Sequence, residues 1–165
     1  MKDICTNVCY FYGEKEVIDE LYNHFLDKNF SMNNLIPICS TSESIGNNLR
    51  SIMWGSIEDM KLLKVQKLKS KILGVHYTTD VPNVRYIQQV SNIFNVNARL
   101  CYIDDKSGYA GKCEYIKGKK VADKYHEDDN PCYDSYRKSI KEEQNILIKS
   151  NVKIISMKNI LRKEE

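Results

Sequence analysis

The sequence predicts an α+β domain in which helices pack on one face of an antiparallel sheet, followed by a C-terminal helical extension. Three observations carry this. Residues 14–29 and 80–95 each repeat apolar side chains at helical spacing. Runs rich in β-branched and aromatic residues, cut by turn signals, lie around and between them. After an acidic stretch closed by Pro131, the pattern becomes helical again.

The elements follow in order. "NVCYFYG" reads as a strand closed by Gly13. In "EKEVIDELYNHFLDKN", Val17, Ile18, Leu21, Tyr22 and Phe25 share one helical face, and Glu14 and Glu16 suit the positive end of the macrodipole. "FSMNNLIPIC" reads as an extended segment ended by Pro37, "STSESIGNNLR" as a polar loop and "SIMWG" as a strand. In residues 56–80, Met60, Leu63 and the lysine pattern could equally make a helix, but two strands turning near Lys69 and Ser70 are favoured because "ILGVHYTT" is rich in strand formers. In "DVPNVRYIQQVSNIFN", Pro82 suits a first helical turn, and Tyr86, Ile87, Val90, Ile93 and Phe94 form the stripe to be buried. "CYIDDKSGYAGKCEYIKGKKVADKYH" reads as three strands with turns at Gly108 and Gly118.

Residues 132–151 then read as a helix with Tyr133, Tyr136, Ile140 and Leu147 on one side. "VKIISM" reads as a last strand, and residues 158–165 as a frayed helical end. The order of strand, helix, strands, helix, strands is that of the ferredoxin-like split βαβ arrangement. The expected organisation is an α+β domain over residues 1–126 and a helical tail over residues 127–165, packed on it or extending from it. Both long helices are expected on one face of the sheet, with the opposite face left free.

Composition narrows the function classes. A chain of 165 residues with 42% hydrophobic and 28% charged residues can bury one core. No apolar run approaches the roughly 20 residues of a membrane span. Asp3 and the lack of a small-residue cleavage site argue against a signal peptide, so a cytoplasmic location with reduced thiols is expected. The net charge of +3 permits contact with nucleic acid without requiring it.

Several residues invite a chemical reading. Cys5 and Cys9 lie on one strand with no turn between them, which suits two small core residues better than a metal chelate. Cys101 and Cys113 face each other if the intervening hairpin loop is odd and centred on Ser107, giving either a redox pair or two reduced thiols in one patch. His126, Glu127, Asp128, Asp129 and Cys132 form the richest ligand cluster, in a segment that equally reads as an acidic linker. His24 and His76 sit in no catalytic signature. Lys61, Lys64, Lys67, Lys69 and Lys71 could line up as a phosphate-facing stripe or simply protect an edge strand. No metal site and no cofactor is predicted.

One resemblance rests on motifs taken in order. Trp54–Gly55, Thr78–Thr79, Pro82, Asp104–Asp105 and Ala110–Gly111 follow a strand–helix segment that runs up to Ile36–Pro37. This series, over residues 7–124, resembles the YubB-type ferredoxin-like domain family of plasmid and phage proteins. The resemblance implies a ferredoxin-like fold and a mobile-element origin, and it brings no catalytic residues. Structural roles are expected for Trp54, Gly55, Pro82 and Gly111: Trp54 beside a glycine lies over closely approaching backbone, and Gly111 marks a bulge or a close neighbour.

The expected function is a small non-enzymatic binding protein that engages a host protein complex, in its most specific form as an inhibitor of an anti-phage defence. The expected contact residues are Tyr102, Tyr109, Lys112, Tyr115, Lys117, Lys119, Lys120 and Tyr125, together with the tail after Pro131. One alternative is a nucleic-acid-binding accessory protein using a Lys- and Tyr-rich sheet face. Another is a metal- or thiol-dependent enzyme built on Cys101 and Cys113 or on His126 and Cys132.

Overall fold

The first strand organises the sheet. In the computed structural model, which describes residues 4–27, 30–38, 42–56 and 59–149, β1 (Cys5–Tyr12) pairs with a strand on each side. Strands β2 (Lys61–Lys69), β3 (Ile72–Thr79), β4 (Asn97–Asp104), β5 (Tyr109–Ile116) and β6 (Lys119–Glu127) complete a six-stranded sheet in the order β2-β3-β1-β4-β5-β6. Every neighbouring pair is antiparallel. β1 and β2 therefore run parallel with β3 between them, and β3 and β4 run parallel with β1 between them. Helix α1 (Lys15–Leu26) lies on the first of these connections and α4 (Val84–Ile93) on the second, which is the interleaved βαβ pattern the sequence predicts. β5 and β6 extend the sheet beyond β4.

β1 is apolar on both sides. Cys5, Cys9 and Phe11 face one way, into a core with Ile18, Leu21 and Phe25 of α1 and Tyr86, Ile87 and Val90 of α4. Val8 and Tyr10 face the other way and are equally buried. Their cover is α5 (Tyr133–Ile148), whose Leu147 packs with Val8, Tyr10 and Ile72, while its Tyr133 and Ile140 pack with Cys101, Ile103 and Ala110. The second sheet face, expected to be free, is thus closed by the tail helix. Polar contacts add to this seat. Gln144 Nε2 donates to the carbonyls of Thr6 and Cys101, each at 3.0 Å. Arg99 pairs with Glu114 at 2.9 Å and with Glu143 at 3.5 Å, and Lys112 reaches Glu143 at 3.4 Å.

Three expectations need correction. Residues 40–55, read as a loop and a strand, contain helix α3 (Glu43–Trp54). Its Ser, Asn and Gly content hides a helix from propensity, and tertiary contacts supply what propensity lacks. Trp54, only 1% exposed, donates from Nε1 to the Ile36 carbonyl at 3.0 Å and meets Tyr86 edge-on. Gly55, at φ +77°, ends the helix as a left-handed residue. The segment read as extended before Pro37 holds one helical turn, α2 (Met32–Leu35). Ser31 caps it by accepting from the Asn33 N–H at 3.2 Å, and the Asp59 carboxylate accepts from the Met32 N–H at 2.9 Å. Pro82 lies one residue before the N-cap Asn83, outside the first turn of α4. Asn83 is buried there and accepts the Tyr77 hydroxyl at 2.6 Å. The predicted strand 152–157 and the end 158–165 lie outside the described residues. Among the described residues, no helix is long and apolar enough to cross a membrane.

Candidate functional site

Two tight turns position the region from which recognition was expected. Between β4 and β5 the turn has four residues, 105–108. Asp104 Oδ1 accepts the Ser107 N–H at 2.9 Å, and Gly108 takes φ +75°. The register that results pairs Asp104 with Tyr109, Cys101 with Lys112, and Leu100 with Cys113. An even loop puts Cys101 and Cys113 on opposite faces, so they do not face each other and form no redox pair. Cys101 is buried under α5, with its Sγ 3.1 Å from Glu143, and Cys113 lies on the α4 side beside Asp123 at 3.4 Å. Burial, with these carboxylates adding to it, pushes both thiols up, Cys113 to about 12. Cys5 and Cys9 are raised too, chiefly by burial. A thiol held in this way is a poor nucleophile at neutral pH.

Between β5 and β6 the turn is Lys117–Gly118, with φ of 49° and 88°. Positive φ at both positions matches a two-residue hairpin turn. Ser91 Oγ accepts the Gly118 N–H at 2.9 Å, and Gln88 Nε2 donates to the Gly118 carbonyl at 3.0 Å, so α4 holds this turn directly.

The expected contact residues separate along this framework. Lys117, Lys119 and Lys120 are exposed, as is Tyr125 at 56%. Tyr102 and Tyr115 are core residues, because their strand positions point under α4, and burial pushes their phenols up. Neither can act as a protruding anchor. Tyr109 is half-buried, edge-on to Tyr102. Lys112 points the other way, toward Glu143 of α5. Gly111 is where backbone and ring approach closely: a Cβ there would sit 2.7 Å from the Lys124 carbonyl and against the Tyr102 hydroxyl.

Tyr115 and Lys120 are register partners, and they belong to an open groove of about 420 Å³. Its other walls come from Ile52 of α3 and from Val84, Arg85, Gln88 and Gln89 of α4. Ile52 is 58% exposed. Arg85 Nη1 donates to the Ile52 carbonyl at 3.3 Å, and Gln89 Nε2 donates to the Met53 carbonyl, so α3 and α4 are tied at the groove. The lining sets apolar Ile52 and Val84 among cationic and amide donors, which suits an apolar group flanked by carboxylates or carbonyls. Arg85, Gln88 and Gln89 were not expected here. Their spacing at i, i+3 and i+4, off the buried stripe of α4, is the signal that could have found them.

The remaining candidates come apart. Residues 128–132 form the tight connection from β6 to α5, with the Asn130 side chain accepting the Cys132 N–H at 2.8 Å. His126 packs edge-on against Tyr136 at 4.5 Å. No group of three or more His, Cys, Asp or Glu among the described residues is placed to hold a metal ion. The lysine run divides between the two sheet faces: Lys64 Nζ donates to the Leu147 carbonyl of α5, whereas Lys67 pairs with Asp19 of α1, both at 2.8 Å. The register from Lys64 to Lys67 is uninterrupted, so their odd spacing alone puts them on opposite faces.

No family model matches the chain. No curated protein matches it. Among solved structures it is similar to the crystal structure of protein api92 from Yersinia pseudotuberculosis, described with the family DUF1281. The TM-score is 0.61 at 9% sequence identity, covering 76% of this chain and 98% of that one. At this identity the likeness is one of fold: both are small α+β domains.

Proposed function

We propose that this chain is a small non-enzymatic binding protein of phage or plasmid origin that engages a host protein complex, in its most specific form as an inhibitor of an anti-phage defence. The groove between α3–α4 and β5–β6 carries the binding part of this reading. It is open, it combines an exposed isoleucine with the Arg85 and Lys120 cations, and α4 and the Gly118 turn hold its walls in place. Such a mixture of apolar floor and donor rim suits a protein partner. The mobile-element part is supported by the resemblance of residues 7–124 to YubB-type domains. A nucleic-acid role has less support, since α5 covers one sheet face, α1 and α4 cover the other, and the lysines of β2 point to both.

The test is capture from host lysate with the tagged chain and with an Ile52→Asp/Lys120→Glu variant, both confirmed as folded by circular dichroism. Recovery of one complex by the first and its loss with the second supports the reading. Equal recovery by both, or no partner with either, rejects it.

A further inference from the structure

The other margin of the sheet presents a different surface, independent of the groove above. β2 is the terminal strand on its side and pairs only with β3 among the described residues. Its outward N–H and C=O groups therefore form an open edge, interrupted by irregularities between Leu62 and Lys64 and between Lys67 and Lys69. Register and packing assign its side chains to faces. Leu62 and Val65 pair with Tyr77 and Val75 and pack with the α1-side core. Lys61, Lys64 and Lys69 pair with Thr78, His76 and Ile72, on the α5 side.

Beside the α1 face of this strand runs an open groove of about 370 Å³, in which the apolar side chains of Phe25, Leu26, Phe30, Met60, Leu62 and Val65 share the lining with Asp27 and Lys64. Leu63, at the irregularity in the strand, also lines it and is 53% exposed.

Charge decides what can lie there. β2 contains four lysines and no acidic residue. Lys67 is compensated by Asp19, whereas Lys61, Lys64 and Lys69 have no carboxylate partner among the described residues. β6, the opposite margin, mixes lysines with Asp123 and Glu127. Lysines on an edge ordinarily prevent strand pairing. They repel a second copy of this chain in particular, since two β2 strands side by side would set lysine against lysine on one face. They do not repel an acidic strand, and the groove gives such a strand a place for its apolar side chains, with Asp27 in the lining keeping its acidic ones to the lysine side.

We propose that β2 accepts an extended acidic segment of a partner protein as a seventh strand. Apolar residues of the segment enter the groove over Phe25 and Met60, and its alternate residues, Asp or Glu, face Lys61, Lys64 and Lys69. Main-chain hydrogen bonds supply affinity, and the two alternating sets of side chains supply specificity.

The test is residue-resolved amide exchange on the full chain with a short blocked peptide alternating Glu and Val, and with its Lys–Val counterpart. With the acidic peptide at about ten times its dissociation constant, the outward amides of β2 exchange roughly tenfold more slowly, and added salt weakens the effect. The Lys–Val peptide has no effect on the native chain. The Lys61→Glu/Lys69→Glu variant, which leaves the Lys64 contact intact, reverses the preference. The proposal is overturned if both peptides act equally, if neither acts, or if protection falls on β6. It is also overturned if protection rises with protein concentration alone, which would show a second copy. Slow β2 amides in the peptide-free chain would show an edge already covered by the chain itself, and protection by a single-stranded oligonucleotide instead of the peptide would show a phosphate chain. Both would likewise overturn it. None of these outcomes bears on the groove at Ile52 and Lys120.

Discussion

The two faces of the sheet are built by different means. Under α1 and α4 the contacts are almost wholly apolar, from Phe11, Leu100 and Tyr115 on the strands to Leu21 and Tyr86 on the helices. Under α5, apolar contacts alternate with a charge network in which Glu143 meets both Arg99 and Lys112, and Arg99 also meets Glu114. Apolar burial is non-directional and large, so the first face dominates folding. A buried ion pair contributes little net stability, but losing one partner leaves a charge stranded. The second face therefore decides whether α5 sits in this one register.

The sharpest break in this comparison is Trp54→Ala. It removes a fully buried ring and the Nε1 bond to Ile36, and should cost about 3–5 kcal/mol in urea unfolding. A cost below about 1 kcal/mol would mean that the first face does not dominate. Next is Glu143→Ala, which leaves Arg99 and Lys112 without their shared partner. A loss of about 1–3 kcal/mol is expected. The comparison predicts that α5 amides lose exchange protection while those of β1 keep theirs. Uniform loss of protection would show the two faces to be one cooperative unit.

A smaller effect concerns pH. His76 lies on the α5 side, where burial first, and then Lys141 and Lys64, hold its imidazole below the ordinary value of 6.5. A folded-state value below the unfolded one means that the unfolded chain takes up the proton more readily. This contribution is complete above pH 6.5 and is lost as pH falls below it. Melting temperature should fall between pH 7.5 and 5.5, and His76→Gln should flatten that slope. The smallest effect is Arg137→Ala. Its two contacts with Asp105, at 2.7 and 2.8 Å, hold the Asp105 carboxyl below the ordinary range, but Asp105 is largely exposed. The loss should be about 0.2–1 kcal/mol, visible only below about 0.5 M salt.

The same contrast explains what was legible. The α1 and α4 stripes are periodic and local, so Ile18, Leu21, Ile87 and Val90 read directly as core. The run Val8-Cys9-Tyr10-Phe11 was a clue that both faces of β1 are covered, since an exposed face would alternate with polar residues. Helix α3 was hidden because Trp54 stabilises it through Ile36 and Tyr86, partners distant in sequence. The opposition of Cys101 and Cys113 turned on loop parity, where one residue moves every later side chain to the other face. Tyr115 and Lys120 could be read as neighbours from the hairpin. Their meeting with Ile52 and Arg85 depends on β5 and β6 being added beyond β4, which no local pattern encodes.

Gln144 closes the molecule late. Its amide bridges the carbonyls of Thr6, 138 positions earlier, and Cys101. On a ribosome, the opening strand emerges long before this residue does. Throughout that interval Val8, Tyr10 and Ile72 have no lid, and the nascent chain stays adhesive until α5 has been made. Stalled or truncated translation products ending ahead of Tyr133 should accordingly be taken up by chaperones or precipitate, while products that include all of α5 escape both fates.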